Sequence, residues 1–123
     1  MASSTAQRRA RLVGICSAYP EVVVEDVGDS HIAFRVRKKT FAYYLFSHHG
    51  DGKIALSCKS SLVEQRRLVR EDPEMFFVPS YVGPRGWVGI RLDLPEVDWD
   101  IVSELLRHAY QASAPAKLAA LVE

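Results

Sequence analysis

The chain has 123 residues, of which 48% are apolar and 25% charged, and its formal net charge at pH 7 is +1. This length suits one domain, residues 1–123, whose core needs no metal or disulfide support. Cys16 and Cys58 lie far apart and form no Cys-x-x-Cys motif, and no stretch approaches the roughly 20 apolar residues that span a bilayer. We therefore expect a cytoplasmic protein with no membrane association, no cofactor and no metal.

Charge is sorted along the chain. Residues 1–70 hold 12 Lys and Arg against 6 Asp and Glu, a net charge of +6, whereas residues 71–123 hold 4 against 9, a net charge of −5. Such sorting can create a basic face for a polyanion, although the near-neutral total is lower than dedicated nucleic-acid binders carry.

The N-terminal segment predicts a helix over about residues 5–18. Ser4 followed by Gln7 has the form of a capping box, and Tyr19-Pro20 ends the helix because a residue before proline is pushed out of the α region. A short β-branched run over residues 22–24 follows.

Three strands are predicted next. Residues 31–37 alternate, which places Ile32, Phe34 and Val36 on one face and Ala33, Arg35 and Arg37 on the other. Lys38-Lys39 is the predicted tight connection to a strand over 40–47, and a turn at 48–52 leads to a third strand over 53–59. Consecutive strands with short connections imply an antiparallel meander.

The second half predicts further helices and strands. Ser61 and Glu64 suggest a capped helix through Arg70, and an extended segment over 76–81 follows. Residues 87–93 predict a strand with Trp87 and Arg91 pointing outward. Asp98 is the predicted cap of a long helix, and Pro115 that of a short terminal helix through Leu121.

This order of elements favours an α+β fold, a two-layer domain with an antiparallel β-sheet covered on one face by helices. The other sheet face is then left uncovered. By alternation its predicted occupants are Arg35, Arg37, Tyr44, Lys53, Ser57, Lys59, Trp87 and Arg91.

Cations beside exposed aromatic rings are typical of nucleic-acid surfaces, since cations neutralise phosphates and rings stack on unpaired bases. The alternative is an ordinary solvated sheet face with Trp87 folded against a helix. The hairpin tip Arg37-Lys38-Lys39 has the form of a basic wing against a phosphate backbone, although charged hairpin tips also serve solubility.

Other chemistry has weaker signals. His48-His49 has no third ligand at a useful spacing, and no nucleophile motif is present. Asp98 and Asp100 are explained as helix-terminal charges. We therefore expect no catalytic residues.

Five short features resemble the MmcQ/YjbR-like family: Lys39-Thr40-Phe41-Ala42, Leu56-Ser57-Cys58-Lys59, Pro73 with Phe76, Tyr81 with Gly86-Trp87-Val88, and His108-Ala109-Tyr110. The resemblance covers most of the chain from Val22 onward. It implies a compact domain with a general plan similar to frataxin-like domains and secretion chaperones. It also implies DNA binding through a double-wing arrangement, which on this chain points to Lys38, Lys39, Lys59, Arg85 and Trp87. The chain departs from the family pattern in having Ala109, where serine commonly precedes the tyrosine, and in having Arg35 and Arg37 in the first hairpin.

Two functions follow as hypotheses. The first is a non-enzymatic, sequence-tolerant DNA-binding protein, whose predicted site is Arg35, Arg37, Lys38, Lys39, Lys59, Tyr81, Arg85, Trp87 and Arg91. The second is a protein-interaction or chaperone-like module that uses Trp87, Tyr44 and Arg91 of the same face to bind a protein partner. An enzyme or small-ligand binder would need a concave polar pocket, for which the sequence has no signal.

Overall fold

The computed structural model describes residues 4–26, 31–46 and 53–122. These residues form one antiparallel sheet of six strands in the order β1-β2-β3-β4-β6-β5, together with four α-helices and one 3-10 turn. The elements in chain order are α1 (Thr5–Ser17), β1 (Val22–Asp26), β2 (His31–Val36), β3 (Lys39–Phe46), β4 (Ile54–Cys58), α2 (Leu62–Glu71), β5 (Phe76–Phe77), the 3-10 turn (Gly83–Arg85), β6 (Val88–Arg91), α3 (Trp99–Ser113) and α4 (Ala116–Ala119).

The predicted two-layer α+β fold is confirmed. Helices α1 and α3 pack on one face of the sheet and bury a continuous apolar core between them and the strands. An aromatic corner closes one end of this core, where Tyr110 lies 4.9 Å from Tyr19 and 5.6 Å from Phe41 between ring centroids. The Tyr110 hydroxyl donates a hydrogen bond to the Pro20 carbonyl at 2.7 Å, which fastens α3 to the loop between α1 and β1.

The helix boundaries follow the predicted caps. Ser4 and Gln7 form the full capping box, and the Asp98 side chain accepts from the Ile101 amide. The Ser61 side chain accepts from the Glu64 amide, but the Glu64 carboxylate pairs with Arg67 and does not complete a second box. Local sequence signals therefore place these helices correctly.

The β2–β3 connection differs from the prediction by one residue. The two turn residues are Arg37 and Lys38, with φ of 49° and 68°, and Lys39 already pairs with Val36. Two successive positive φ values are those of a type I′ turn, whose twist matches that of the flanking strands. The predicted connection at Lys38-Lys39 was therefore one residue too late.

A β-bulge in β3 changes which aromatic side chains face the helices. The register passes from Phe34 opposite Ala42 to Arg35 opposite Thr40, so Phe41 is an extra residue that turns into the core. Tyr44 pairs with Ile32 and Leu56, and all three are buried on the helix side. The prediction that Tyr44 lies on the uncovered face is wrong.

The late strands are shorter than predicted. Only Phe76 and Phe77 of the extended segment 76–81 pair with a neighbour, and β6 covers 88–91 of the predicted 87–93. The terminal helix is Ala116–Ala119. The predicted turn at 48–52 lies outside the described residues. No helix within the described ranges is long and apolar enough to cross a membrane.

A buried arginine joins α1 to the loop after β6. Arg8 is 7% exposed, and its guanidinium donates to the carbonyl oxygens of Leu92 at 2.6 Å, Pro95 at 2.9 Å and Leu94. The dipoles of these carbonyl groups thus compensate the buried charge, and the hydrogen bonds join residues more than 80 positions apart in the sequence.

Replacing this arginine should therefore destabilise the whole domain. We expect Arg8→Ala to lower the free energy of unfolding by about 3 kcal/mol, because it leaves three carbonyl groups without their donor and removes a buried side chain. Urea unfolding followed by circular dichroism measures this, with Arg66→Ala, on an exposed helix position, expected within about 0.5 kcal/mol of the parent. A loss below about 1 kcal/mol for Arg8→Ala would show that the carbonyl groups find other partners.

Candidate nucleic-acid interface

Four predicted cations meet at one end of the sheet. The type I′ turn carries Lys38 and leads into Lys39 at the start of β3. Lys59 follows β4, and its amide donates to the Phe41 carbonyl at 3.0 Å, so it continues the ladder beside β3. Arg85 ends the 3-10 turn that comes before β6. We call Lys38, Lys39, Lys59 and Arg85 the basic end.

The cations of the basic end have no carboxylate partner in the described part of the chain. Lys38, Lys39 and Arg85 are exposed, and Lys59 is half-buried. Unpaired, solvent-accessible cations are the groups that can neutralise phosphates without first breaking an ion pair.

The turn that carries Arg85 is held firmly against α2. Gly86 adopts a left-handed φ of 90°, and a Cβ at this position would lie 2.6 Å from the Leu62 backbone nitrogen. The buried Gln65 side-chain amide donates to the carbonyl oxygens of Gly83 at 2.8 Å and Trp87 at 2.6 Å. Backbone packing and these two hydrogen bonds therefore fix the position of Arg85 relative to the end of β4.

Two of the predicted phosphate-binding arginines are paired with acids. Arg37 donates to both Glu21 carboxylate oxygens, at 2.7 and 2.9 Å, and this hydrogen bonding holds the pKa of Glu21 below its usual value. Arg35 lies 3.3 Å from the Glu25 carboxylate. Both acids belong to the edge strand β1 or the residue before it, so the basic face predicted from β2 is largely neutralised.

The aromatic part of the predicted site is also changed. Trp87 is only 6% exposed, and its ring packs on Tyr43 with centroids 5.7 Å apart and a tilt of 33°. Its ring is therefore covered and has no free face for a base. Tyr81, by contrast, is 89% exposed, at a positive φ of 66°.

Arg91 lies on the uncovered sheet face, as predicted, but it serves as an anchor. Its guanidinium donates to the carbonyl oxygens of Pro73 at 3.2 Å and Glu74 at 3.1 Å, and it lies 5.0 Å from the centroid of the Phe77 ring. These contacts fasten the segment around β5 to β6.

Comparison with known proteins agrees with this architecture. The YjbR family model matches residues 17–112, which is more than half of the chain. The chain belongs to the YjbR family. Its fold is similar to the crystal structure of Deinococcus radiodurans protein DR2400, which has a DUF419 domain, with a TM-score of 0.70 and 21% identity over 85% of this chain and 76% of that one. No curated protein matches the chain.

The titratable groups of this YjbR-family protein limit its chemistry. Burial raises the pKa of the Cys58 thiol to about 12, and it raises that of Cys16 as well, so both thiols stay protonated at neutral pH. Among the residues that the structure describes, no three His, Cys, Asp or Glu side chains are placed to hold a metal ion. Asp98 acts as a helix cap, and His48-His49 lies outside the described residues.

Sequence reasoning missed three side chains that organise the uncovered face: Tyr43, Gln65 and Phe77. Tyr43 takes the place predicted for Tyr44, because it pairs with Ala33 and Ser57 on the uncovered side. The small partners of Tyr43 were the available signal, since Tyr44 is matched by the apolar Ile32 and Leu56. Gln65 and Phe77 act through contacts with residues far away in sequence, and no local pattern marks them.

The burial of Trp87 leads to a stability prediction. We expect Trp87→Ala to lower the free energy of unfolding by about 3–5 kcal/mol, because it opens a large cavity beside Tyr43. Tyr81→Ala removes an exposed ring and should change stability by about 0.5 kcal/mol or less. Urea unfolding of both variants tests this; similar small effects would mean that the Trp87 ring is not packed.

Proposed function

We propose that this YjbR-family protein is a non-enzymatic cytoplasmic protein that binds DNA, with little sequence preference, through its basic end. The observation that supports this best is the convergence of four cations without acidic partners at the ends of adjacent strands. Phosphate contacts position a protein on DNA but carry no base information, so binding of this kind is sequence-tolerant.

The geometry suits the outside of a duplex. The type I′ turn holds Lys38 at a rigid hairpin tip, as a wing against the backbone requires, and Arg85 is fixed beside the end of β4. Of the two aromatic residues predicted to stack on bases, Trp87 is buried and Tyr81 is exposed. We therefore propose that binding is made mainly by phosphate contacts, with Tyr81 as the one predicted stacking residue whose ring is open to an unpaired base.

The basic end predicts a steep dependence on salt. If all four cations contact phosphates, the slope of log affinity against log salt should be about −3.6, so raising salt from 50 to 200 mM should lower the affinity about 150-fold. Fluorescence anisotropy of a labelled 20-base-pair duplex measures this. Lys38→Glu/Lys59→Glu should abolish binding at 50 mM salt.

The matched control for charge is Arg70→Glu, at the other end of α2 and about 12 Å along the helix from its first residue. This residue is exposed, and its replacement should leave the slope unchanged. If Arg70→Glu lowered the duplex affinity as much as a single Lys→Glu replacement at the basic end, a localised site would be contradicted. Absence of duplex binding by the parent protein at about 50 mM salt would contradict DNA binding itself.

The Arg37–Glu21 pair gives a gain-of-binding prediction. Glu21→Gln removes the carboxylate that holds Arg37 beside the basic end, so we expect tighter duplex binding by about 3- to 10-fold and a salt slope steeper by about one unit. Glu25→Gln is the matched control, since it changes charge equally but frees Arg35 on the sheet face. Equal effects in both variants would point to net charge alone.

The second candidate is the protein-interaction or chaperone-like module on the uncovered face. Two of its three predicted anchors are lost, because Tyr44 faces the helices and Trp87 is buried. The observation that still favours it is the exposure of Val78 and Tyr81, at 55% and 89%, beside that face. It would become the better function if duplex DNA failed to bind at low salt.

A further inference from the structure

A pocket of about 450 Å³ opens on the uncovered face of the sheet, away from the turn that carries Lys38. Its floor lies on β3 and β4, where Tyr43, Ala55 and Ser57 line it, and its opposite wall is formed by Phe77 and residues 79–82. Sites for small molecules occupy about 300–1,000 Å³ and are mostly apolar with a few polar groups. This pocket has both properties, although no sequence motif predicted it.

A buried hydroxyl in the floor points to a ligand. Ser57 is 1% exposed, and its Oγ has no hydrogen-bond partner in the described structure. Its neighbours across the strands are Tyr43 and Gly89, neither of which offers it a side-chain partner. Buried hydroxyls are nearly always hydrogen-bonded in native proteins, so an unpaired one that lines a pocket is explained by a group that enters the pocket.

Contacts with neighbouring residues hold the aromatic side chains of the pocket in place. Tyr43 packs on Trp87, which lies outside the pocket, and meets the ring of His31, another lining residue, edge-on at 5.6 Å. The Phe77 ring lies directly over Gly89, where any Cβ would come within 2.6 Å of it. With the small Ala55 and Ser57 between them, these rings border a space suited to a flat molecule, since offset stacking and edge contacts favour aromatic partners.

The charged residues of the pocket favour an anion. Among the described residues, Lys53 and Arg91 line it together with one carboxylate, that of Asp93. The carbonyl groups of Pro73 and Glu74 hold the Arg91 guanidinium, so the charge is positioned before any ligand arrives. A positioned cation in an apolar pocket attracts a carboxylate more strongly than an exposed one does.

From these observations we propose that the pocket binds a small planar aromatic carboxylate, with its ring between Tyr43 and Phe77 and its carboxylate toward Ser57 and Arg91. This site is separate from the basic end and does not depend on DNA binding. The Ser57 hydroxyl donates a hydrogen bond to the carboxylate, which supplies the partner that Oγ lacks in the described structure.

The first test is an NMR titration of the ¹⁵N-labelled full chain with 2-naphthoate, its neutral isostere 2-naphthamide, and cyclohexanecarboxylate. We expect 2-naphthoate to shift the amide signals of β4, Phe77 and residues 80–82, and to bind at least 5-fold more tightly than either of the other two. Absence of shifts with 2-naphthoate would overturn the site. Equal binding of 2-naphthamide would show that the pocket does not require a carboxylate. Equal binding of cyclohexanecarboxylate would show that it does not require a planar ring.

The second test uses Ser57→Ala, for which the proposal predicts two effects of opposite sign. The variant should unfold at a higher urea concentration, because an unpaired buried hydroxyl is removed, and should bind 2-naphthoate at least 5-fold more weakly. Ser60→Ala, outside the pocket, should change neither. A Ser57→Ala variant with unchanged affinity would overturn the role of the hydroxyl.

The location is tested by Ala55→Leu, which fills the floor and should abolish 2-naphthoate binding while the NMR spectrum stays dispersed. Binding that survives this change would place the ligand elsewhere. Lys38→Glu/Lys59→Glu should retain 2-naphthoate binding, and Ser57→Ala should retain DNA binding. Failure of one proposal is thereby distinguished from failure of the other.

Discussion

The register of the four central strands, β2, β3, β4 and β6, is the constraint on which both candidate sites depend. Side chains alternate between the two faces of a strand, so a fixed register assigns Ile32, Leu56 and Ile90 to the helices and leaves Tyr43 and Ser57 on the other side. The same register brings the β2–β3 turn, the end of β4 and the start of β6 to one end of the sheet. A slip of one residue would invert the faces and remove the pocket.

The basic residues fall into two groups, those engaged in contacts within the protein and those that stay accessible at the basic end. Arginines in the first half of the chain are largely engaged in internal contacts: Arg8 binds carbonyl groups, Arg9 pairs with Asp26, and Arg37 pairs with Glu21. A planar guanidinium suits such forked contacts, whereas a lysine ammonium on a flexible chain stays hydrated and accessible. Three of the four cations at the basic end are lysines. Because the arginines are largely engaged in internal contacts, the net charge of residues 1–70 overstates the charge that is available on the surface.

Trp87 connects the two regions structurally. Its carbonyl accepts from Gln65, whose side chain also holds the turn that carries Arg85, and its ring supports Tyr43 at the edge of the pocket. The tryptophan that resembled a stacking platform in the sequence therefore acts as a packing element between a charged surface and an apolar one. Gly86 and Gly89 on either side of it allow the close approach of α2 and of Phe77.

The sequence by itself determined the helices, the central meander and the two-layer plan, because caps, proline stops and alternation act between residues a few positions apart. The resemblance to the YjbR family was likewise carried by short contiguous motifs. Tertiary structure alone decided the rest. The bulge at Phe41 changed the faces of the β3 aromatic residues, β1 and the residue before it supplied the acids that pair with Arg35 and Arg37, and Phe77 closed over Gly89. Each of these contacts joins residues that are distant in sequence. Their free energy depends on tertiary packing, which a local sequence pattern does not reveal.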